Sequence, residues 1–287
     1  MSGISISVVA GPDVNTSSVI ATGSVQHIIT DAEVSSFKIN DSELKQAVAK
    51  YFGKAPNDAY LHSPTPWDDL YKRYNWPQVQ TVMVVDSARI TGITSNPEVI
   101  ASNKFSNKSS VPGTFNAGVS TQISNTESTT WTETTSLSIS ESLNWKVSFE
   151  GLGEAGGSVT WGFTQTFAKA ETQSQTVTVG STEGISVTLQ PGQSVSANLN
   201  TTRGTMNIRI VYRAYLTGVT AINYNPTYKD HHFWALPISN VMSAAGIPNS
   251  IMVTQDVQIG YYSNASVTLS DSDGKQVHGI RAVAAAS

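Results

Sequence analysis

His231 and His232, followed by Phe233 and Trp234, are the residues of this 287-residue chain best suited by type to ligate a metal or move a proton. Neighbouring residues on a strand point to opposite faces, so the two imidazoles do not converge on one ion. No third ligand stands at a matching spacing. Asp68-Asp69 is an equally unspecific carboxylate pair. No nucleophile elbow, phosphate-binding loop, dinucleotide fingerprint or zinc motif occurs. Cysteine is absent, which removes thiolate chemistry and disulfides. The expectation is a protein that is not an enzyme and carries no cofactor and no metal.

The chemistry this sequence does encode is solvation. Between residues 137 and 167, Leu137, Ile139, Leu143, Trp145, Val147 and Phe149 alternate with Ser138, Ser140, Ser142, Asn144, Lys146 and Ser148. A glycine-rich segment from Gly151 to Gly157 follows, containing Leu152. Val159, Trp161, Phe163 and Phe167 then alternate with Ser158, Thr160, Thr164 and Thr166. Side chains alternate faces along a strand, so this predicts a hairpin with one apolar and one hydroxylated face. A soluble sheet uses such a hairpin to cover a core; a transmembrane barrel needs the same pattern, with lipid outside and water inside.

Pairing Phe149 with Val159 places Val147 opposite Trp161, Trp145 opposite Phe163 and Leu143 opposite Gln165. The charge-free band from Leu143 to the Gly151 turn then spans roughly nine residues, or roughly 23 Å at ~3.3 Å per residue and ~40° tilt, against the ~25 Å of membrane barrels. The predicted lipid-facing set is Leu143, Trp145, Val147, Phe149, Leu152, Val159, Trp161 and Phe163. The predicted lumen set is Ser142, Asn144, Lys146, Ser148, Glu150, Thr160 and Thr164. Arginine at Val147 or Trp161 is expected to abolish insertion and spare the soluble monomer.

Charged residues are only 13% of the chain, and Ser plus Thr make up about a quarter. Such strand surfaces slide past or pair with copies of themselves without charge repulsion. They also suit a non-lytic carbohydrate-binding lectin or adhesin. The net charge of −4, with no Lys/Arg run, argues against nucleic acid as a partner. The first ten residues lack the basic region and apolar core of a signal peptide, so the expectation is a protein secreted or released without one. No apolar run reaches the length of a transmembrane helix, and any insertion must be by strands.

Three regions are expected: a head (1–77), a module of long strands (78–218) and a β region with a frayed tail (219–287). In the head, Asn40 and Glu43 form a capping box for a helix over 41–52, with Leu44, Ala47, Val48 and Tyr51 on one face and Gly53 as its stop. Tyr60, Trp67, Tyr71, Tyr74 and Trp76 fall within 17 residues broken by prolines. They form either an aromatic core plug or an exposed surface that stacks on sugar rings or a receptor. Runs over 79–94, 114–150, 159–188 and 192–217 read as long strands of one extended system, and the remainder as short ones.

These residues resemble the aerolysin-type β-pore-forming toxins, in particular the epsilon-toxin/mosquitocidal branch. The resemblance rests on the Ser/Thr-rich run from Ser120 to Thr135, the alternating hairpin, the return strand Gln173–Val179 and the Val187–Gly192 turn, about half the chain. It implies a mainly β, elongated protein of long twisted antiparallel strands with a small α/β head and an amphipathic insertion hairpin. It implies a soluble monomer that binds a glycan or protein receptor on a target-cell membrane. From residue type, Tyr60, Trp67, Tyr71, Tyr74 and Trp76 are the expected contact. Copies then assemble into a ring of about seven or eight. Terminal clipping often precedes assembly in such proteins, and Lys275 and Arg281, in an apparently loose tail, are the expected cleavage sites.

Overall fold

The computed structural model describes residues 3–132, 137, 142–153, 156–281 and 283–285. Ser138 to Glu141, part of the expected hairpin, lie outside these described residues. Period-two alternation governs most of the chain, and the strands follow it. The chain begins with β1 (Ser5–Ala10), β2 (Ser18–Thr22) and β3 (Ser24–Ile28), then α1 (Asp31–Ser36) and α2 (Asp41–Phe52). β4 (Asp58–Tyr60), α3 (Pro66–Tyr74), β5 (Gln80–Ser106), β6 (Gly113–Thr132), β7 (Ser142–Phe149) and β8 (Val159–Thr166) come next. β9 (Thr172–Leu189), β10 (Ser194–Thr217), β11 (Val219–Tyr228), β12 (His231–Pro237) and α4 (Ile238–Ala245) precede β13 (Ile251–Ser270), β14 (Gln276–Arg281) and β15 (Val283–Ala285).

The long strands build an eight-stranded antiparallel sheet in the order β15-β9-β6-β13-β10-β5-β3, with β14 also on β13. One face of β10 is apolar from Val195 through Leu199, Met206, Ile208 and Tyr212 to Leu216, all buried. The other face carries Ser, Thr, Asn and Arg. A second sheet, β2-β1-β7-β8, lies over that apolar face, and one continuous core joins the two. β4 of the expected head region pairs with β11 from beyond residue 218 in a small β12-β11-β4 sheet, with α2 packed on α4, whereas β1–β3 join the two larger sheets.

Several expectations change. The run over 114–150 is not one strand: β6 belongs to the large sheet, and β7 resumes in the other. The run over 159–188 divides likewise into β8 and β9, at a turn where Ala168 takes a φ of 58°. Alternation continues through both breaks, so it carries no sign that the chain changes sheets. β5 continues past 94 to Ser106 through bulges opposite β10. β13 is a 20-residue strand in the middle of the large sheet, where short strands were expected. Among the described residues near the C-terminus, β14 pairs with Ser266–Ser270 and β15 with Thr178–Gly180, where a frayed tail was expected; Ala282, Ala286 and Ser287 lie outside the described residues.

The helix over 41–52 is present, with Gly53 at φ 98° ending it, but Asn40 makes no side-chain cap. Its Oδ1 accepts from Ser35 Oγ, and Glu43 is held by Ser42, so neither reaches the helix N-terminus. Tyr51, expected on the packed face, is exposed. The capping box of this region is Thr30 with Glu33, at the start of α1. Glu33 is buried, and its carboxylate also meets His27 Nε2 at 2.9 Å and Thr81 Oγ1 at 3.0 Å, tying α1 to β3 and β5.

Candidate membrane-insertion hairpin and aromatic head patch

β7 and β8 pair in the register expected from the sequence: Leu143 with Gln165, Trp145 with Phe163, Val147 with Trp161 and Phe149 with Val159. Alternation and a glycine turn fix that register, because a one-residue slip would turn every apolar side chain to water. Leu143, Trp145, Val147, Phe149, Leu152 and Trp161 are buried against the large sheet, while Val159 and Phe163 are half-buried. Trp145 and Phe163 stack at 5.6 Å, Trp161 lies 4.6 Å from Phe163, and Phe149 stacks on Tyr261 of β13 at 6.2 Å. Trp145 Nε1 is buried without a hydrogen-bond partner among the described residues. Gly151 takes φ 72° where a Cβ would stand 2.9 Å from Asn264 Cα, so only glycine lets the turn close on β13.

The opposite face is wet. Ser142, Asn144, Lys146, Thr160 and Thr164 are exposed, and Ser148 Oγ lies 3.0 Å from Thr160 Oγ1. Glu150 is half-buried at the turn, its N–H donating to the Ala10 carbonyl. No sequence signal marks the neighbour on the hairpin's other edge. β1 runs parallel to β7, Ser5 beside Asn144 through Ala10 beside Phe149. Ile4, Ile6, Val8 and Ala10 are fully buried, and Tyr261 Oη donates to the Gly11 carbonyl at 2.6 Å. The N-terminal strand is thus anchored to the body and clamps the hairpin from the side.

The aromatic stretch divides. Tyr71 is core, a correction to its expected place on a binding surface. It is 3% exposed and its hydroxyl donates to the Tyr60 carbonyl at 2.7 Å. Burial raises its pKa far above the ordinary tyrosine value. Trp67 and Tyr74 are 40% and 42% exposed, with Tyr60 and Trp76 half-buried beside them. Tyr74 stacks on Trp76 at 4.7 Å, and Phe233 of β12, which sequence reasoning missed, joins Trp67 at 5.1 Å. Arg73 lies over the Tyr74 ring at 5.4 Å. Trp67, Asp68 and Asp69 all have φ near +60°, a region costly for residues with a Cβ, and this keeps α3 from starting as a regular helix. Ser63 Oγ at 2.9 Å and Lys72 Nζ at 3.2 Å hold Asp69 in that bend.

Asp69 is buried and Asp68 exposed, so they do not act as a carboxylate pair. His231 stands edge-on to Trp234 at 5.2 Å, and His232 Nδ1 lies 2.7 Å from the Tyr224 carbonyl. Lys275 is exposed at the turn entering β14, and Arg281 is that strand's last residue.

An amphipathic hairpin folded onto a long, curled, hydroxyl-coated antiparallel sheet defines the aerolysin-type β-pore-forming toxin fold. The crystal structure of parasporin-2, a Bacillus thuringiensis toxin that recognizes cancer cells, shares it: TM-score 0.54 at 16% identity, over 92% of this chain and 98% of that one. In sequence, the chain is 36% identical over 255 residues to U-megalopygitoxin(8)-Mo12 of Megalopyge opercularis, covering 89% of this chain and 87% of that protein. It is 35% identical, with the same coverage, to U-megalopygitoxin(8)-Mc8 of Megalopyge crispata. No family model matches the chain. The chain belongs to the megalopygitoxins, and it is a toxin.

Proposed function

We propose that this toxin kills by perforating membranes: after receptor engagement, copies assemble in a ring and each contributes its β7–β8 hairpin to a shared barrel. The observation that carries this reading is the hairpin itself, with a charge-free face of membrane height buried against the body and a hydroxylated face in water. A closed barrel leaves no unpaired strand edge in lipid, which makes it a workable fate for a released hairpin. Lys146 would then face the lumen, once per subunit. Receptor contact is assigned to Trp67, Tyr74 and Trp76, with Tyr60 and Phe233 completing the patch; aromatic surfaces of this kind dominate binding hot spots. Dye release and single-channel recording on cells and on receptor-bearing bilayers test the reading. Stepwise conductance with leakage is expected. Binding or agglutination without leakage would establish the lectin or adhesin alternative instead.

A further inference from the structure

Among the described residues of the hairpin's apolar face one is polar: Gln165, 1% exposed, cross-strand from Leu143. Its amide is built into the body. Gln165 Nε2 donates to Glu127 Oε1 on β6 at 3.1 Å, and its Oε1 accepts from Gln255 Nε2 on β13 at 2.6 Å. Gln255 Oε1 accepts in turn from Tyr212 Oη on β10 at 2.6 Å, and Gln255 Nε2 lies 3.3 Å from Thr129 Oγ1. Glu127, Gln255 and Tyr212 are fully buried. Glu127 Oε2 has no hydrogen-bond partner among the described residues. A buried polar chain therefore bridges the element that must leave and the sheet that must stay, and it contains one acid.

We propose that Glu127 is a proton-operated catch: while neutral it holds Gln165, and with it the hairpin, against the sheet, and its ionisation loosens that hold. The proposal rests on the reading of β7–β8 as the insertion hairpin. A neutral carboxyl sits in this apolar enclosure at modest cost, whereas a carboxylate with one oxygen unpartnered is expensive to bury. The hairpin is the lid of that enclosure, and lifting it restores the carboxylate's hydration.

Burial raises the Glu127 pKa above its ordinary value near 4.5, and the Glu171 charge adds to this against the lowering bonds of Thr129 and Gln165. The other described titratable groups on this inner face are Tyr212 and Tyr261, which burial keeps protonated. Arg209 and Asp256 pair with each other on the outer face at 2.7 Å, and Lys146 and Lys169 are exposed. Because the tucked state binds the proton more tightly than the open one, the tuck is firmest below the ordinary glutamate pKa. It weakens as pH rises through the raised value.

The test is amide hydrogen exchange on the full chain in solution, without membrane, from pH 4.5 to 8. Protection factors of Trp161 to Thr166 should fall as pH rises through the raised Glu127 value. Those of β10, inside the large sheet, should hold. In Glu127→Gln the hairpin amides should stay protected at every pH; if that variant does not fold, Glu127→Met carries the same comparison. A flat wild-type profile, or an equal slope in the neutral variant, overturns the proposal. Lysis is measured separately. A wild type that shows the exchange transition yet never perforates a membrane refutes the pore reading and leaves the catch established.

Discussion

If the hairpin must leave the body to act, bonding it covalently to β1 will silence the toxin. Val9 and Ser148 are register partners on adjacent parallel strands, both half-buried on the outward side. Neighbouring strands stand ~4.8 Å apart, inside the ~4.4–6.8 Å Cα separation that a disulfide spans. The chain has no cysteine, so the thiols of a Val9→Cys/Ser148→Cys variant have only each other as intramolecular partners.

The magnitude follows from what release uncovers. Leu143, Trp145, Val147, Phe149, Leu152 and Trp161 are buried in the tucked state. At about 1.5–3 kcal/mol each, exposing all six to water costs on the order of 9–18 kcal/mol. Spontaneous full release is thus suppressed by about a million-fold or more, at 1.4 kcal/mol per decade. Under the proposed mechanism, full release therefore requires lipid or neighbouring hairpins to take up those side chains as they leave. A disulfide to the anchored β1 blocks this transfer at its first step. Dye release from target cells should be at the wild-type rate with reductant and at least ~100-fold slower without it, with receptor binding equal in both states; an intact disulfide bars the step outright, so the floor is set by the reduced fraction. Mass spectrometry confirms the cross-link. If cross-linked protein lyses as fast as reduced protein, β7–β8 is not the inserting segment. Arginine at Val147 is the poorer probe: that side chain is fully buried before any membrane is met, so the substitution damages the monomer as well.

Three further outcomes are expected. Tyr71→Ala should cost about 3–5 kcal/mol and lower Tm by several degrees, while Tyr74→Ala should keep the wild-type Tm and lose cell binding; thermal melts beside a binding assay separate them, and the reverse pattern would put Tyr74 in the core. Lys146→Glu should reverse the pore's charge preference, read as a change in sign of the reversal potential across a salt gradient, and an unchanged potential removes Lys146 from the lumen. Glu33 titrates below its ordinary value near 4.5 although burial alone would raise it, because His27, Thr30 and Thr81 bond the charged form. Its contribution is therefore present above that value and lost as pH falls through the lowered one. In Glu33→Gln, Tm should lose this acid dependence and the protein about 1–3 kcal/mol at pH 7; an unaltered acid limb would contradict the assignment.

The hairpin was legible because three local signals agreed: alternation, a glycine turn and a charge-free band of definite length. They fixed the β7–β8 pairing residue by residue. They could not reveal β1, since parallel pairing between distant short strands leaves no mark on either one. Nor did Gln165 opposite Leu143 announce a buried chain, because its partners Glu127 and Gln255 lie on strands far away in sequence. In the head, residue type located the aromatic patch, but exposure depended on three left-handed residues before Leu70. That bend turns Trp67 outward and leaves Tyr71 inside, and composition does not encode it. Phe233 joins the patch from β12, far from Trp67 in sequence, and no local signal marks that juxtaposition.

The parallel clamp also bears on how the chain reaches its folded state. Ser5 and Asn144 are partners across 139 residues of sequence, 144 minus 5, whereas β1 reaches β2 within a short hairpin. Contacts closing so large a loop form slowly. The floor under the hairpin, with Tyr212 and Tyr261, comes from β10 and β13, which are synthesised later than the hairpin itself. Seating β7 and β8 is therefore among the final acts of folding. Until then, the hairpin's apolar side chains are uncovered. If the hairpin inserts as proposed, delay in completing β13 would leave the producing cell holding an open toxin, and the speed with which the long sheet closes would decide how safely it can be produced.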